Sequence, residues 1–120
     1  MRNNKRYPEE QAKFYVNTIA MAIGFLHSVN IIHRDLKPEN ILMGDDGYLM
    51  LTDFGVSKDL KLEEATYSTI GTLDYLAYEV LKNRPYGLGV DWWALGLLTY
   101  ELIVGFPPFT DPTKPVNSVK

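Results

Sequence analysis

The sequence contains no cysteine among its 120 residues, which excludes a disulfide framework and a zinc site built on thiolates. It also lacks a strong excess of charge, and a formal net charge of −3 gives no electrostatic case for binding nucleic acid or an anionic membrane surface. Its most apolar stretch, residues 90–104, is too short to span a bilayer and includes two acidic residues. No apolar signal core follows the polar residues 1–6, so we expect a cytoplasmic chain, with the nucleus as a second location.

The first half of the chain divides into a helix, a charged loop and a hairpin. Apolar residues recur at helical spacing behind a proline and two glutamates, which predicts a helix over 8–29. Two short apolar runs flank the turn sequence Gly-Asp-Asp-Gly and predict a β-hairpin over 41–52. Residues 30–40 are therefore predicted to form a loop between the helix and the hairpin.

The second half contains a long irregular segment and one apolar helix. Residues 53–79 show neither a helical nor a strand period, and long ordered loops are more often functional than structural. Residues 90–104 are apolar almost all round and predict a helix that is buried on most sides. The proline-punctuated residues 105–120 are predicted to form an exit loop, with a proline-motif ligand for a partner domain as the less favoured alternative.

The charged loop combines the groups that phosphoryl transfer requires. Asp35, Lys37 and Asn40 lie within six residues of one another, and Asp53 follows directly after the predicted hairpin. Because a tight hairpin returns the chain to its starting point, Asp53 should lie near Asn40. A carboxylate and an amide oxygen suit Mg²⁺, which completes its shell with phosphate oxygens and water. Lys37 would then contact phosphate charge, and Asp35 would be free to act as the general base on a hydroxyl.

The motifs that carry these groups are found together in one family. The sequence HRDLKPEN at residues 33–40, followed by DFG at residues 53–55, resembles the catalytic loop and the magnesium motif of eukaryotic protein kinases. GTLDYLAYEV at 71–80 resembles the end of the activation segment, and DWWALGLLTYELIVGFPPF at 91–109 resembles the central helix of the C-terminal lobe. The resemblance covers nearly the whole chain and implies an α+β, mostly helical fragment of that lobe with one short hairpin.

This resemblance implies a serine/threonine kinase that uses ATP and Mg²⁺. It assigns Asp35 as the catalytic base, Lys37 as the phosphate contact, Asn40 and Asp53 as magnesium ligands, and Leu42 as a contact of the adenine ring. Further residues would support the site: Thr72 by a hydrogen bond to the catalytic aspartate, Asp91 by holding the loop backbone, His33 and Phe54 by stacking beneath the site, and Glu79 by pairing with an arginine.

The same resemblance implies regulation and a substrate class. Arg34 and Lys58 would grip a phosphate that an upstream kinase places on Ser68, with Thr69 as the alternative site. The paired tryptophans and the PPF sequence are similar to the AGC group, near cyclic-nucleotide-dependent kinases, with calmodulin-dependent kinases as the alternative. In that group Glu39, beside the cofactor site, and Glu101 bind arginine on the substrate. A protein substrate with basic residues near its target Ser or Thr is therefore expected.

The sequence also departs from the family pattern. Tyr78 and Leu73 occupy two positions where the family has proline, and no glycine-rich nucleotide loop or VAIK-type lysine occurs in these 120 residues. We therefore expect a fragment without its N-terminal lobe, inactive alone, with a non-catalytic protein-binding module as the alternative function. At the level of single residues, Glu101 could lie on a solvated helix face, and Asp35, Asn40 and Asp53 could serve as turn and cap residues.

Overall fold

The structure, a computed structural model, describes residues 5–60, 66 and 69–109. Within this part of the chain lie three α-helices, four short strands and two short 3₁₀ turns. The helices are α1 (Glu9–Ser28), α2 (Tyr78–Leu81) and α3 (Gly89–Val104), the strands are β1 (Ile31–Ile32), β2 (Ile41–Met43), β3 (Leu49–Leu51) and β4 (Lys58–Asp59), and the 3₁₀ turns are Pro38–Asn40 and Leu73–Tyr75. No helix among these residues is both long enough and apolar enough to cross a membrane.

Helix α1 forms because its apolar residues fall on one face. Ala12, Tyr15, Ile19 and Ile23 are buried at spacings of three and four residues, and they pack in one cluster with residues of α3. Pro8, which the sequence pattern places inside the helix, is its N-cap, and Glu9 and Glu10 lie in the first turn near the positive end of the helix dipole. The helix thereby supplies one wall of the main core.

Strands β2 and β3 form the hairpin that follows the charged loop. Ile41 pairs with Leu51 and Met43 with Leu49 in antiparallel register. The turn is closed by the Gly44 N–H, which donates to the Tyr48 carbonyl at 2.8 Å. Because this register returns the chain to its starting point, the residue after β3 lies beside the loop that precedes β2.

Helix α3 packs against α1. Its composition predicted burial on most sides, whereas the structure buries one side of it. Its inner face is buried, whereas large apolar side chains on the other side are 41–46% exposed among the described residues: Trp92, Trp93, Tyr100 and Ile103. The apolar pattern alone could not reveal this, since it does not show which neighbours cover each face. The helix ends at Gly105, whose left-handed backbone (φ 98°) directs its N–H to the Glu101 carbonyl at 2.8 Å.

Two buried residues of the predicted irregular segment, residues 53–79, belong to a second apolar cluster: Leu60 and Ala77. Strand β4 of this segment pairs antiparallel with β1, which joins Ile32 to Lys58. Ile32, Leu60, Val80 and Tyr86 are buried together in the second cluster. The predicted exit loop lies within the described residues only as far as Phe109. The charged loop, residues 30–40, therefore contributes to both clusters, through Leu36 in the main core and Ile32 in the second.

Candidate active site

The backbone of the charged loop is held by a buried carboxylate of α3. The side chain of Asp91 is 1% exposed and accepts hydrogen bonds from the backbone N–H groups of His33 and Arg34, both at 2.9 Å. It also lies 2.8 Å from Nε2 of His27, at the end of α1. Arg34 has a left-handed backbone (φ 71°), which an arginine rarely adopts. Two charge-assisted hydrogen bonds in a buried place offset that strain and fix where the loop begins.

The carboxylate of Asp35 lies at the centre of a network of four donor contacts. Oδ1 accepts from the Thr72 backbone N–H at 3.1 Å and from the Thr72 hydroxyl at 2.9 Å. Oδ2 accepts from Nδ2 of Asn40 at 3.0 Å and lies 3.0 Å from Nζ of Lys37. Four donors on two oxygens define the direction of the carboxylate plane, so this side chain is positioned rather than free to rotate.

These contacts also determine the acidity of Asp35. Burial alone would raise the pKa of the carboxyl, but the hydrogen bonds from Lys37, Thr72 and Asn40, together with the charge of Lys37, outweigh it and hold the pKa below its ordinary value. Asp35 is therefore a carboxylate at neutral pH. It is a weak base that is well oriented to accept a proton.

Lys37 connects the loop to the irregular segment. Its Nζ donates to the Thr72 hydroxyl at 2.7 Å while that hydroxyl donates to Asp35. The segment approaches closely here, since a Cβ added at Gly71 would lie 2.7 Å from the Arg34 carbonyl oxygen. The structure thus brings Asp35, Lys37 and Thr72 together, as the resemblance implied for these three residues.

The two predicted magnesium ligands, Asn40 and Asp53, flank the hairpin. Asn40 uses Nδ2 to bind the carbonyl and the carboxylate of Asp35, at 2.8 and 3.0 Å, so its Oδ1 is the amide atom left for a metal. Thr52 donates to the Asn40 carbonyl through its N–H and its hydroxyl, at 2.9 and 3.1 Å. This pairing places Asp53, the next residue, beside Asn40.

The chemistry of these groups fits Mg²⁺. Asp53 is exposed and has a left-handed backbone (φ 58°), with Oδ1 accepting from the Gly55 N–H at 3.3 Å. One carboxylate and one amide oxygen leave most of an octahedral shell to phosphate and water, which Mg²⁺ prefers. In residues 5–60, 66 and 69–109 no group of three or more His, Cys, Asp or Glu side chains forms a metal cage. The predicted pair of one carboxylate and one amide suits a metal that arrives with a nucleotide.

His33 and Phe54 lie beneath the site. Their rings meet edge to face with centroids 5.2 Å apart. Nδ1 of His33 accepts from the Asp35 N–H at 3.3 Å, and Nε2 lies 3.1 Å from the Thr52 carbonyl. Both bonds are satisfied by the tautomer with its proton on Nε2. His33 is fully buried and both of its ring nitrogens contact backbone groups, so its side chain supports the loop and does not face a substrate.

The residues predicted to bind a regulatory phosphate, Arg34 and Lys58, make other contacts or lie in a strand. Nε of Arg34 donates to the Val56 carbonyl at 2.5 Å, and Lys58 lies in β4. Ser68 lies outside the described residues. Thr69 is described, and its hydroxyl donates to Oδ1 of Asn83 at 2.8 Å. The sequence did not indicate this contact with Asn83.

The remaining predicted residues differ in their exposure to solvent. Leu42 is 52% exposed and Glu39 is exposed, so a ligand can reach both. Glu101 is half-buried and accepts a hydrogen bond from the Tyr75 hydroxyl. Glu79 is half-buried in α2, where its backbone carbonyl accepts from the Arg84 N–H at 2.8 Å. These residues do not form one cluster in the way that Asp35, Lys37 and Thr72 do.

Two further contacts were not found from the sequence. His27 binds Asp91 across 64 residues of chain, and Tyr75 binds Glu101 across 26. A histidine in the last turn of a helix is the only local signal for the first pair, and it does not identify the partner. The second pair has no local signal.

Comparisons with known proteins identify the family of the chain. Residues 1–119 match the family model described as the protein kinase domain, and the chain belongs to that family. The loop, the buried aspartate and the DFG sequence therefore stand in a kinase domain fragment with mixed helices and small antiparallel sheets.

The most similar relatives include serine/threonine kinases of two kinds. Serine/threonine-protein kinase Sgk2 of Mus musculus is 51% identical over 110 residues, which cover 91% of this chain and 30% of the relative. The cAMP-dependent protein kinase catalytic subunit of Arthrobotrys oligospora is 46% identical over 117 residues, which cover 98% of this chain and 22% of the relative. The predicted serine/threonine class and AGC type are confirmed. The chain spans less than a third of the length of these curated relatives.

Proposed function

We propose that this chain carries the catalytic-loop half of a serine/threonine protein kinase that transfers the γ-phosphoryl group of ATP to protein Ser or Thr hydroxyls. The observation that carries the proposal is the Asp35 carboxylate, held by donors from Lys37, Asn40 and Thr72 at 2.9–3.1 Å. A carboxylate that is fixed on both oxygens, ionised and beside a lysine suits the orientation of a hydroxyl toward a phosphoryl group.

Each of these side chains has a distinct task. Asp35 accepts the hydrogen bond of the substrate hydroxyl and takes its proton late, which a weak base can do because the transition state of phosphoryl transfer is loose. Lys37, only 21% exposed, donates toward the transferring phosphate. Thr72 fixes the position of the Asp35 carboxylate relative to the Lys37 ammonium, since its hydroxyl binds both.

The proposed cofactor is Mg²⁺ bound with ATP. Oδ1 of Asn40 and the carboxylate of Asp53 would hold the ion, which supplies charge neutralisation at the phosphates when bound. Leu42 would contact the adenine, and its exposure on β2 leaves its side chain accessible for this. Asn40 and Asp53, which flank the hairpin, would thus bind the same ion.

We further infer that the described residues correspond to the C-terminal lobe of the kinase domain. The two helices that form its main core, α1 and α3, support the catalytic loop directly through His27 and Asp91. Phosphoryl transfer depends mainly on positioning and electrostatics, and the glycine-rich loop and VAIK-type lysine do not occur in these 120 residues. Residues 1–120 alone should therefore show negligible ATP turnover.

A basic substrate is the proposed class. Glu39 is exposed in the loop, and Glu101 is a half-buried carboxylate that accepts from the Tyr75 hydroxyl, so these two acidic side chains are the proposed contacts for a basic peptide. Arginine side chains near the target hydroxyl would be recognised by charge-assisted hydrogen bonds. Glu39→Gln should raise the KM for an arginine-containing peptide more than for the same peptide with glutamine in its place.

The direct test uses Sgk2 in which this chain replaces its matched segment, because that chimera supplies the remainder of a kinase. Asp35→Asn in the chimera should lower kcat by roughly a hundredfold to ten-thousandfold. Asp45→Asn, an exposed aspartate on the hairpin turn, is the matched control and should leave kcat unchanged. An active Asp35→Asn chimera would refute the role of Asp35, and an inactive parent chimera that folds would refute the proposed function.

A further inference from the structure

The turn after α2 carries two cations that share one aromatic ring. Nζ of Lys82 lies 5.8 Å from the ring centroid of Tyr78, and Cζ of Arg84 lies 5.7 Å from it. Both distances are within the range of a cation–π contact. All three side chains are exposed. Tyr78 stands where the family pattern has proline, which has no aromatic ring, so this arrangement is not part of the family pattern.

Neither cation is neutralised by an acidic side chain in the part of the chain that the structure describes. Within that part, Lys13 and Lys37 form ion pairs with glutamate or aspartate at 3.0–3.3 Å, whereas Lys82 and Arg84 form none. The chain as a whole has a net charge of −3, so two unpaired cations on one turn are a local exception. Such a pair attracts an anionic group from outside the chain.

The backbone that bears the two cations is fixed by the fold. Asn83, which lies between them, has a left-handed conformation (φ 52°), which asparagine tolerates better than most residues. The Arg84 N–H donates to the Glu79 carbonyl at 2.8 Å, and the Asn83 N–H donates to the Val80 carbonyl at 3.1 Å. Oδ1 of Asn83 also accepts from the Thr69 hydroxyl at 2.8 Å. A partner therefore meets a turn whose shape is already set.

An apolar side chain adjoins the cations. Leu81 is 48% exposed and follows Tyr78 by three residues, so these two side chains and Lys82 share one face of α2. Val80, on the inner side of the helix, is buried in the second apolar cluster. The outward face thus combines an aromatic ring, an aliphatic side chain and positive charge. Tyrosine and arginine are enriched in protein interfaces for this combination of apolar surface and polar contacts.

We propose that Tyr78, Leu81, Lys82 and Arg84 form a docking surface, here called the α2 surface, for an acidic segment of a protein partner. Carboxylates of the segment bind Lys82 and Arg84, and an apolar side chain between them packs on Leu81. The inference goes beyond the proposed function, because binding at the α2 surface requires no phosphoryl transfer.

The chemistry of the α2 surface favours carboxylates on a peptide. The guanidinium of Arg84 can donate two parallel hydrogen bonds to one carboxylate, and the ammonium of Lys82 acts as a point charge for a second. The ring of Tyr78 confines both long side chains, which reduces the side-chain entropy lost on binding. Nucleic acid fits less well, because two cations on a chain of net charge −3 do not form the extended basic track that a phosphate backbone requires.

The first test measures how tightly the full chain binds a fluorescein-labelled peptide with two glutamates on either side of one leucine, by fluorescence anisotropy at low ionic strength. Lys82→Gln with Arg84→Gln should weaken binding by roughly threefold to tenfold, since exposed charge pairs contribute modestly. Lys5→Gln with Lys13→Gln removes the same number of exposed cations elsewhere and should leave the affinity nearly unchanged. Equal weakening by the two double variants would overturn the proposal, because it would reflect net charge alone.

The second test examines the aromatic ring. Tyr78→Leu keeps an apolar side chain but removes the π face, and it should weaken binding of the same peptide by roughly twofold to fivefold. Tyr78→Phe keeps the ring and should bind as tightly as the wild type. Equal affinity of the leucine and phenylalanine variants would refute the role of the ring in the α2 surface.

The third test varies the ligand. A peptide with glutamine in place of each glutamate should lose its binding, and rising salt should weaken binding of the acidic peptide. Undiminished binding of the glutamine peptide, or tighter binding of a single-stranded DNA oligonucleotide or of vesicles that contain phosphatidylserine, would overturn the proposed class of partner. None of these measurements requires catalysis by this chain, so failure here is distinguishable from failure of the proposed kinase function.

Discussion

Thr72 binds Asp35 twice, through its backbone N–H at 3.1 Å and its hydroxyl at 2.9 Å, and both bonds reach the same carboxylate oxygen. The irregular segment therefore fixes the orientation of the proposed catalytic base. Since that hydroxyl also accepts from Lys37 at 2.7 Å, one side chain aligns two functional groups.

Thr72→Val in the Sgk2 chimera should lower kcat by roughly tenfold to a hundredfold, because it removes the hydroxyl while keeping the shape and the backbone bond. Thr72→Ser is the matched variant and should retain most of the activity, since it keeps the hydroxyl. Steady-state kinetics at saturating ATP measure both. Equal activity of the valine and serine variants would contradict a positioning role for the hydroxyl.

Asp91→Asn should destabilise the full chain by about 2 to 3 kcal/mol, because the amide replaces one of the two accepting oxygens by an NH₂ group that faces a loop N–H donor in a buried place. Asp91 is 1% exposed and is bonded to His33, Arg34 and His27. Urea unfolding followed by tryptophan fluorescence gives the free energy. Asp45→Asn provides the control for loss of one carboxylate, and a matching loss there would show that the effect is not specific to residue 91.

The contribution of Asp35 to stability should depend on pH in a defined direction. Its folded pKa lies below the ordinary value of 3.8, so protons bind the unfolded chain more tightly than the folded one. The stabilisation is complete well above pH 3.8 and is lost as the pH falls through that value toward the folded pKa. The difference in unfolding free energy between the wild type and Asp35→Asn should therefore shrink between pH 6 and pH 3. A difference that stays constant or grows on acidification would contradict the predicted shift.

Two glycines should respond to alanine in opposite ways. Gly71 has a left-handed backbone (φ 121°), and a Cβ there would lie 2.7 Å from a backbone oxygen and 2.8 Å from a Leu76 methyl group. Gly71→Ala should therefore lower the free energy of unfolding by about 1 to 3 kcal/mol. Gly96 lies in α3 with nothing within 4 Å of an added Cβ, so Gly96→Ala should raise it by up to about 1 kcal/mol. Thermal unfolding of the two variants side by side provides the check.

Local pattern was sufficient to predict the two long helices and the hairpin. The helical spacing predicted residues 8–29 and 90–104, and the structure has helices at Glu9–Ser28 and Gly89–Val104. The hairpin follows from its turn sequence. Strands β1 and β4 have two residues each, which is too short for any period to be detected.

Contacts between distant side chains could not be predicted in this way. The pairs His27 with Asp91, Tyr75 with Glu101 and Thr69 with Asn83 join residues 64, 26 and 14 positions apart. Each depends on how two elements pack, and neither composition nor periodicity contains that information. The exposed face of α3 has the same origin, because apolar residues indicate a preference for burial and do not show what covers them.

The bonds from Asp91 to the loop also have a consequence for synthesis on the ribosome. The backbone N–H groups of His33 and Arg34 donate to Asp91, which lies 58 and 57 residues further along the chain and is synthesised after them. A nascent chain that has emerged only as far as Asp53 therefore contains both proposed magnesium ligands but lacks the carboxylate that fixes the backbone of the charged loop. The geometry of the loop is completed only after α3 has emerged and folded against α1.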